Sequence, residues 1–142
     1  MQRVQVGIAL GVGIERDDLV SGREFDDTIG FSAYGWDLPD PKRPSYQPMH
    51  EKKVRKRKPI TPVPYRIMVP RQIENLICPG RAVCVERDVL GPLRVMAPCF
   101  AMGEAAGLAA KQVVRKKVAF MDINVQFLRN SLMENGAIVE WD

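Results

Sequence analysis

Apolar residues recur along this chain in two different periods. Val4, Val6, Ile8 and Leu10 alternate with other residues, which suits a strand with one buried face before Gly11 and Gly13 interrupt it. Glu15 to Val20 reads as a turn of helix closed by Gly22, and Asp26 to Tyr34 resumes an extended pattern. Val63 to Val69 reads as a strand ended by Pro70, and Asn75 to Cys78 as a short buried strand ending in a Pro-Gly-Arg turn. From Leu93 or Arg94 the period becomes helical. Leu93, Met96, Phe100, Met102, Leu108, Val113 and Val114 carry it to about Lys116, where Arg115 and Lys116 suit the negative end of the helix dipole. A last helix is expected over 123–134, with Asp122 as its N-cap, Val125, Leu128 and Leu132 on one face, and Gly136 at C′. The pattern is that of a mixed α/β chain.

Within the long helix Gly103 and Gly107 stand four residues apart, with Ala105, Ala106, Ala109 and Ala110 around them. Each interior glycine costs about 1 kcal/mol against alanine. That cost implies a reason, and a face so small admits a second backbone or a flat ligand.

The block from Glu74 to Lys117 resembles the C-terminal end of the FAD-dependent oxidoreductases that carry two dinucleotide-binding domains. The residues that carry the likeness are Asn75-Leu76, Gly80-Arg81, Leu90-Gly91, Arg94-Val95-Met96, and the run from Cys99 to Ala110. A weaker likeness covers Arg3 to Gly7, Asp18, Phe25-Asp26-Asp27, Ile29, Pro64-Tyr65-Arg66, and Leu132 with Gly136. The resemblance implies the C-terminal fragment of a Rossmann-type FAD-binding fold plus part of a substrate or cap region. Residues 1–38 would belong to the cap region, 39–62 to a proline-rich basic loop, and 63–142 to the FAD-binding domain.

It also implies FAD as cofactor. The flavin would lie against Gly80, Arg81, Leu93, Arg94, Val95, Met96, Gly103 and Gly107, with the start of the long helix facing its N1/C2=O edge. The same block without a ligand would be a packed strand–helix pair. The Gly-x-Gly-x-x-Gly strand-turn-helix that holds the ADP half of FAD is lacking, since Gly7, Gly11 and Gly13 have the wrong spacing. The chain is therefore expected to need an N-terminal dinucleotide-binding half or separate subunit, to be inactive alone, and to self-associate through exposed apolar surface. Departures from the family fall at Pro39, where histidine is common, at Cys84, Arg87 and Asp88, at Pro92, and at Ala97-Pro98. No catalytic side chain and no metal ligand set is assigned.

Composition adds little to this. At 142 residues, 46% hydrophobic and 27% charged, the chain is ordinary for a globular protein, and no apolar run suggests a membrane span. The net charge of +4 is local: Lys52, Lys53, Arg55, Lys56, Arg57 and Lys58 outweigh it, and without them the chain would carry −2. Seven of the eleven prolines fall within 39–64, so that segment, with the sole histidine, His50, reads as an exposed loop. The basic run leaves open a second reading, a non-catalytic module that contacts nucleic acid or an acidic protein. Against it, no aromatic residue interleaves the cations to stack on bases. Cys78, Cys84 and Cys99 read as reduced thiols in a cytoplasmic protein.

Overall fold

A computed structural model describes residues 13–35 and 60–141. The expected strand at Val4–Leu10, the Pro39 position, His50 and the basic run Lys52–Lys58 lie outside the described residues.

The described chain is a mixed helix and strand structure. Helix α1 (Arg16–Ser21) is short and closed at both ends. Glu15 and Asp18 form a reciprocal capping box, and Gly22 ends it at φ 75°, a left-handed conformation that glycine adopts without penalty. Strand β1 (Thr28–Ser32) pairs antiparallel with β2 (Thr61–Pro64), Thr28 opposite Pro64 and Ser32 opposite Thr61, with an irregularity between Thr28 and Phe31. Pro62 and Pro64 can donate no ladder hydrogen bond, which suits a ribbon of two edge strands.

Helix α2 (Arg87–Leu93) is followed at once by the long α3 (Met96–Lys116), and α4 (Val125–Glu134) comes last. The core is one cluster. Ile29 from β1, Val63 from β2, Val89 and Leu93 from α2, Met102, Ala105 and Ala109 from α3, and Leu128 and Leu132 from α4 meet in it. Ile14, Ile67, Met68 and Val139 complete it from the connecting segments. The ribbon comes close to α3, since a Cβ on Gly30 would lie 3.5 Å from that of Ala101.

Four sequence expectations are corrected. The long helix does not begin at Leu93: α2 ends there, and α3 starts at Met96. Pro98 is the reason, because a helix running through Arg94 would drive the proline ring into the Arg94 carbonyl four residues back. The strand expected over Val63–Val69 stops at Pro64, and Tyr65–Met68 winds into a 3-10 turn. Asn75–Cys78 forms no strand. Its Asn75 end is exposed, and the Cys78 N–H donates to the Met68 carbonyl at 2.8 Å. Asn124, not Asp122, caps the last helix. Its Oδ1 accepts the Phe127 N–H at 2.8 Å, while Asp122 belongs to a separate 3-10 turn, Phe120–Asp122.

The closure of α4 follows the expectation. Gly136 sits at φ 88°, its N–H donates to the Met133 carbonyl, and the Ala137 N–H donates to Leu132, the double bond of a Schellman motif.

Two polar contacts hold the end of the ribbon, one to the turn before α4 and one between its own flanking residues. Buried Tyr65 donates its hydroxyl proton to the Phe120 carbonyl at 2.9 Å. Buried Asp27 accepts from both the backbone N–H and Nε of Arg66 at 2.8 Å, and its Oδ1 lies 2.7 Å from Nη2. Arg66 also reaches Asp26 and lies over the Phe25 ring. From α4, Arg129 donates to the Asp26 and Val139 carbonyls, so the same corner holds the C-terminal segment.

Two outcomes check this account. Replacing Arg66 with Met leaves the Asp27 carboxylate buried without its partner, and chemical denaturation should show a loss of about 2–3 kcal/mol. Burial raises the Tyr65 pKa above its ordinary 10.0. The contribution of the neutral phenol is therefore complete below that ordinary value and is lost as pH rises towards the folded one. Tyr65→Phe should lose about 1 kcal/mol at neutral pH and show a smaller fall in stability above pH 10 than the parent chain.

Candidate functional site

The site is built by what Pro98 does to the chain. As the third residue of α3 it lacks the N–H that would be unbonded there in any case, so the helix tolerates it. The break it forces leaves the Arg94 carbonyl outside any helix. Arg81 takes that carbonyl, donating Nε–H at 3.3 Å. The Gly80-Arg81 turn and the start of α3 are thereby brought together although thirteen residues separate Arg81 from Arg94.

Gly80 shapes this turn through its backbone conformation. It sits at φ 83° in a 3-10 turn over Gly80–Ala82, and a Cβ placed there would lie 3.9 Å from the Cys99 sulfur. The Cys99 thiol in turn points at the Leu93 carbonyl, 3.9 Å away. Leu93 is fully buried in the core, so it anchors the constellation instead of lining it. Ser32 fixes α2 from the other side, donating its hydroxyl to the Pro92 carbonyl at 2.6 Å. Pro92 thus supplies the buried carbonyl that joins α2 to β1.

No side chain caps the start of α3: the N-cap Val95 has extended backbone and offers none. The next two residues, Met96 and Ala97, are exposed. Their N–H groups point along the axis at the positive end of a 21-residue helix, which favours negative charge placed there. The Arg94 N–H is not among the donors, because it bonds the Leu90 carbonyl at 3.0 Å. Arg81 is exposed, and its Nε–H at the Arg94 carbonyl brings one guanidinium beside the helix end; Arg94 itself is half-buried. The arrangement is a small, preformed electropositive end that can hold an anionic or electron-rich planar edge.

Six of the eight residues singled out in the sequence meet here: Gly80, Arg81, Leu93, Arg94, Val95 and Met96. Gly103 and Gly107 do not. At 1.5 Å per residue they lie about 10 and 16 Å further along α3 than Met96. Both are exposed, with nothing within 4 Å of a built Cβ. The alanines expected beside them are on another side, with Ala105, Ala106 and Ala109 buried.

Cys84 does not enter the site. Burial pushes its thiol pKa up, against a smaller opposing effect of Arg71, which keeps it protonated and unreactive. No disulfide joins Cys78, Cys84 and Cys99. Among the described residues no group of three His, Cys, Asp or Glu could hold a metal ion. No helix among them is long and apolar enough to cross a membrane. Ser32, Cys99 and Pro98 were not marked as site residues in the sequence; Pro98 carried a readable signal, a helix break four residues upstream.

The sequence matches the FAD dependent oxidoreductase family over residues 12–132, and the chain belongs to that family. Comparison with curated proteins and with solved structures found no match.

Pro98→Ala tests how the site is made. The variant should let α2 and α3 run together, with helical Cα chemical shifts at Arg94 and Val95 and loss of the Arg81–Arg94 bond. Gly80→Ala should cost about 1–2 kcal/mol, because alanine at a left-handed φ crowds its own carbonyl.

Proposed function

We propose that this chain supplies the flavin-edge part of an FAD-dependent oxidoreductase. The observation that carries the reading is the uncapped, exposed start of α3, held against the Gly80-Arg81 turn by the Arg81–Arg94 bond. When bound, the flavin would supply the redox chemistry. The residues here would place its N1/C2=O edge at the N–H groups of Met96 and Ala97. Negative charge gathers on that edge when the ring is reduced, and the helix end with Arg81 and Arg94 would stabilise it. Val95 would contribute backbone and Leu93 would keep the end from shifting.

The residues present fit the flavin edge but not the ADP half of the cofactor. Among the described residues the only sheet is the β1–β2 ribbon, and no glycine-rich strand-turn-helix precedes it. In this reading a dinucleotide-binding half, on a longer form of the chain or a separate subunit, holds the pyrophosphate and adenosine. Residues 63–142 then form the end of the FAD-binding region and 1–38 part of a cap over the substrate. The isolated chain binds FAD weakly and does not turn over.

Titrating FAD while following flavin absorbance and fluorescence tests this. The chain alone should give no stoichiometric complex, since the contacts of one flavin edge are too few to offset the cost of association. Adding a dinucleotide-binding half should give a yellow complex, and Arg94→Ala should weaken flavin retention in it by roughly tenfold, or about 1.4 kcal/mol. Tight binding by the chain alone would overturn the reading.

A further inference from the structure

Three consecutive carbonyls mark the break between α2 and α3, and each is met by a side chain from a different element. In a continuous helix the carbonyls of Pro92, Leu93 and Arg94 would accept the N–H groups of residues 96, 97 and 98. None of these three bonds forms. Pro98 has no N–H to give. The Ser32 hydroxyl of β1 donates to the Pro92 carbonyl at 2.6 Å. The Cys99 thiol of α3, a weak donor, lies 3.9 Å from the Leu93 carbonyl. Arg81 of the Gly80–Ala82 turn donates Nε–H to the Arg94 carbonyl at 3.3 Å.

The replacement matters because Pro92 and Leu93 are buried. A buried carbonyl without a donor carries the full penalty of its desolvation. The nearest remedy within the chain is to wind the link between α2 and α3 into helix, which turns the Met96 N–H onto Pro92 and the Ala97 N–H onto Leu93. Those are the two N–H groups that the extended backbone of Val95 keeps clear of α2. Pro98 resists the winding through its ring, and Ser32 removes the unmet carbonyl that would drive it. Ser32 is the stronger of the two buried donors, since a hydroxyl outperforms a thiol. It is 3% exposed, and its oxygen accepts the Tyr34 N–H at 3.3 Å, which steadies the hydroxyl as it donates to Pro92.

We propose that Ser32 is a positioning residue for the flavin: by satisfying the Pro92 carbonyl it keeps α2 and α3 apart and leaves the Met96 N–H free for the ring edge. The inference rests on the flavin-edge reading. Without the hydroxyl the broken form holds an unmet buried carbonyl, whereas the wound form meets that carbonyl through Met96. The balance therefore moves towards the wound form, and the helix end loses a donor.

Amide hydrogen exchange on the flavin-free 142-residue chain tests the effect on the donor directly. The parent Met96 amide should exchange fast. Ser32→Ala should slow it roughly threefold and move the Arg94 and Val95 Cα shifts towards helix, and Ser32→Thr, which keeps the hydroxyl, should restore the parent behaviour. A role in packing alone would speed exchange in β1 and α2 and leave Met96 as fast as before, and that result would overturn the proposal. Excess flavin mononucleotide provides the second arm. Ser32→Ala should weaken its binding roughly fivefold, read from the Ala97 and Gly80 amide shifts, and equal affinity in the two chains would also overturn the proposal. A parent chain whose Met96 and Ala97 amides ignore flavin mononucleotide would overturn the flavin-edge reading itself, and with it the ligand named here, whatever the exchange rates.

Discussion

The collision that a proline ring would make with the carbonyl four residues before it decides the form of the candidate site. Pro98 forbids helix at Arg94 and permits it from Met96 onward. One residue therefore fixes where the dipole of α3 begins and which carbonyl is left for Arg81. With an ordinary residue at position 98 and a helix running from Leu93, the Arg94 carbonyl would accept the N–H of residue 98, and the Gly80-Arg81 turn would have no acceptor there.

A helix end is useful only if it does not move. The long buried face of α3 packs on β1 and α4, with Met102, Ala105 and Ala109 in the core. The ribbon lies against that face at Gly30, where an added Cβ would be in ordinary van der Waals contact with Ala101. The ribbon is then held from its far side by Asp27 with Arg66, and by Tyr65 reaching Phe120. Gln112 adds a further tie, donating to the Asn124 carbonyl at 3.4 Å where α4 begins. The order of dependence runs from core packing, through these buried polar contacts, to the position of the exposed N–H groups.

Much of this was legible in the sequence, and the rest has physical reasons for being hidden. The C-terminal end of α3 at Lys116, the closure of α1 by Gly22 and of α4 by Gly136 follow from periodicity and local backbone chemistry. The break before Met96 was masked because Leu93 continues the apolar period across it. Asn75–Cys78 has the composition of a strand but finds a single backbone partner segment, and tertiary context decides strands more than composition does. The Asp27–Arg66 pair joins residues 39 apart, and Ser32 meets Pro92 across 60, separations that no local pattern reports. At the site, the likeness to flavoproteins named Gly80, Arg81 and Arg94, which the fold brings together through the Arg81–Arg94 bond. It also named Gly103 and Gly107, which the fold sets further along α3, because motif spacing along a helix does not report distance from the Gly80-Arg81 turn.

The central claim is that the start of α3, and not its glycine-bearing face, receives the flavin edge. Amide chemical shifts recorded while flavin mononucleotide is added in excess address it residue by residue. The account places the perturbed amides at Met96, Ala97, Gly80 and Arg81, with Gly103 and Gly107 unmoved. Shifts centred on Gly103 and Gly107, with Met96 and Ala97 silent, would contradict it.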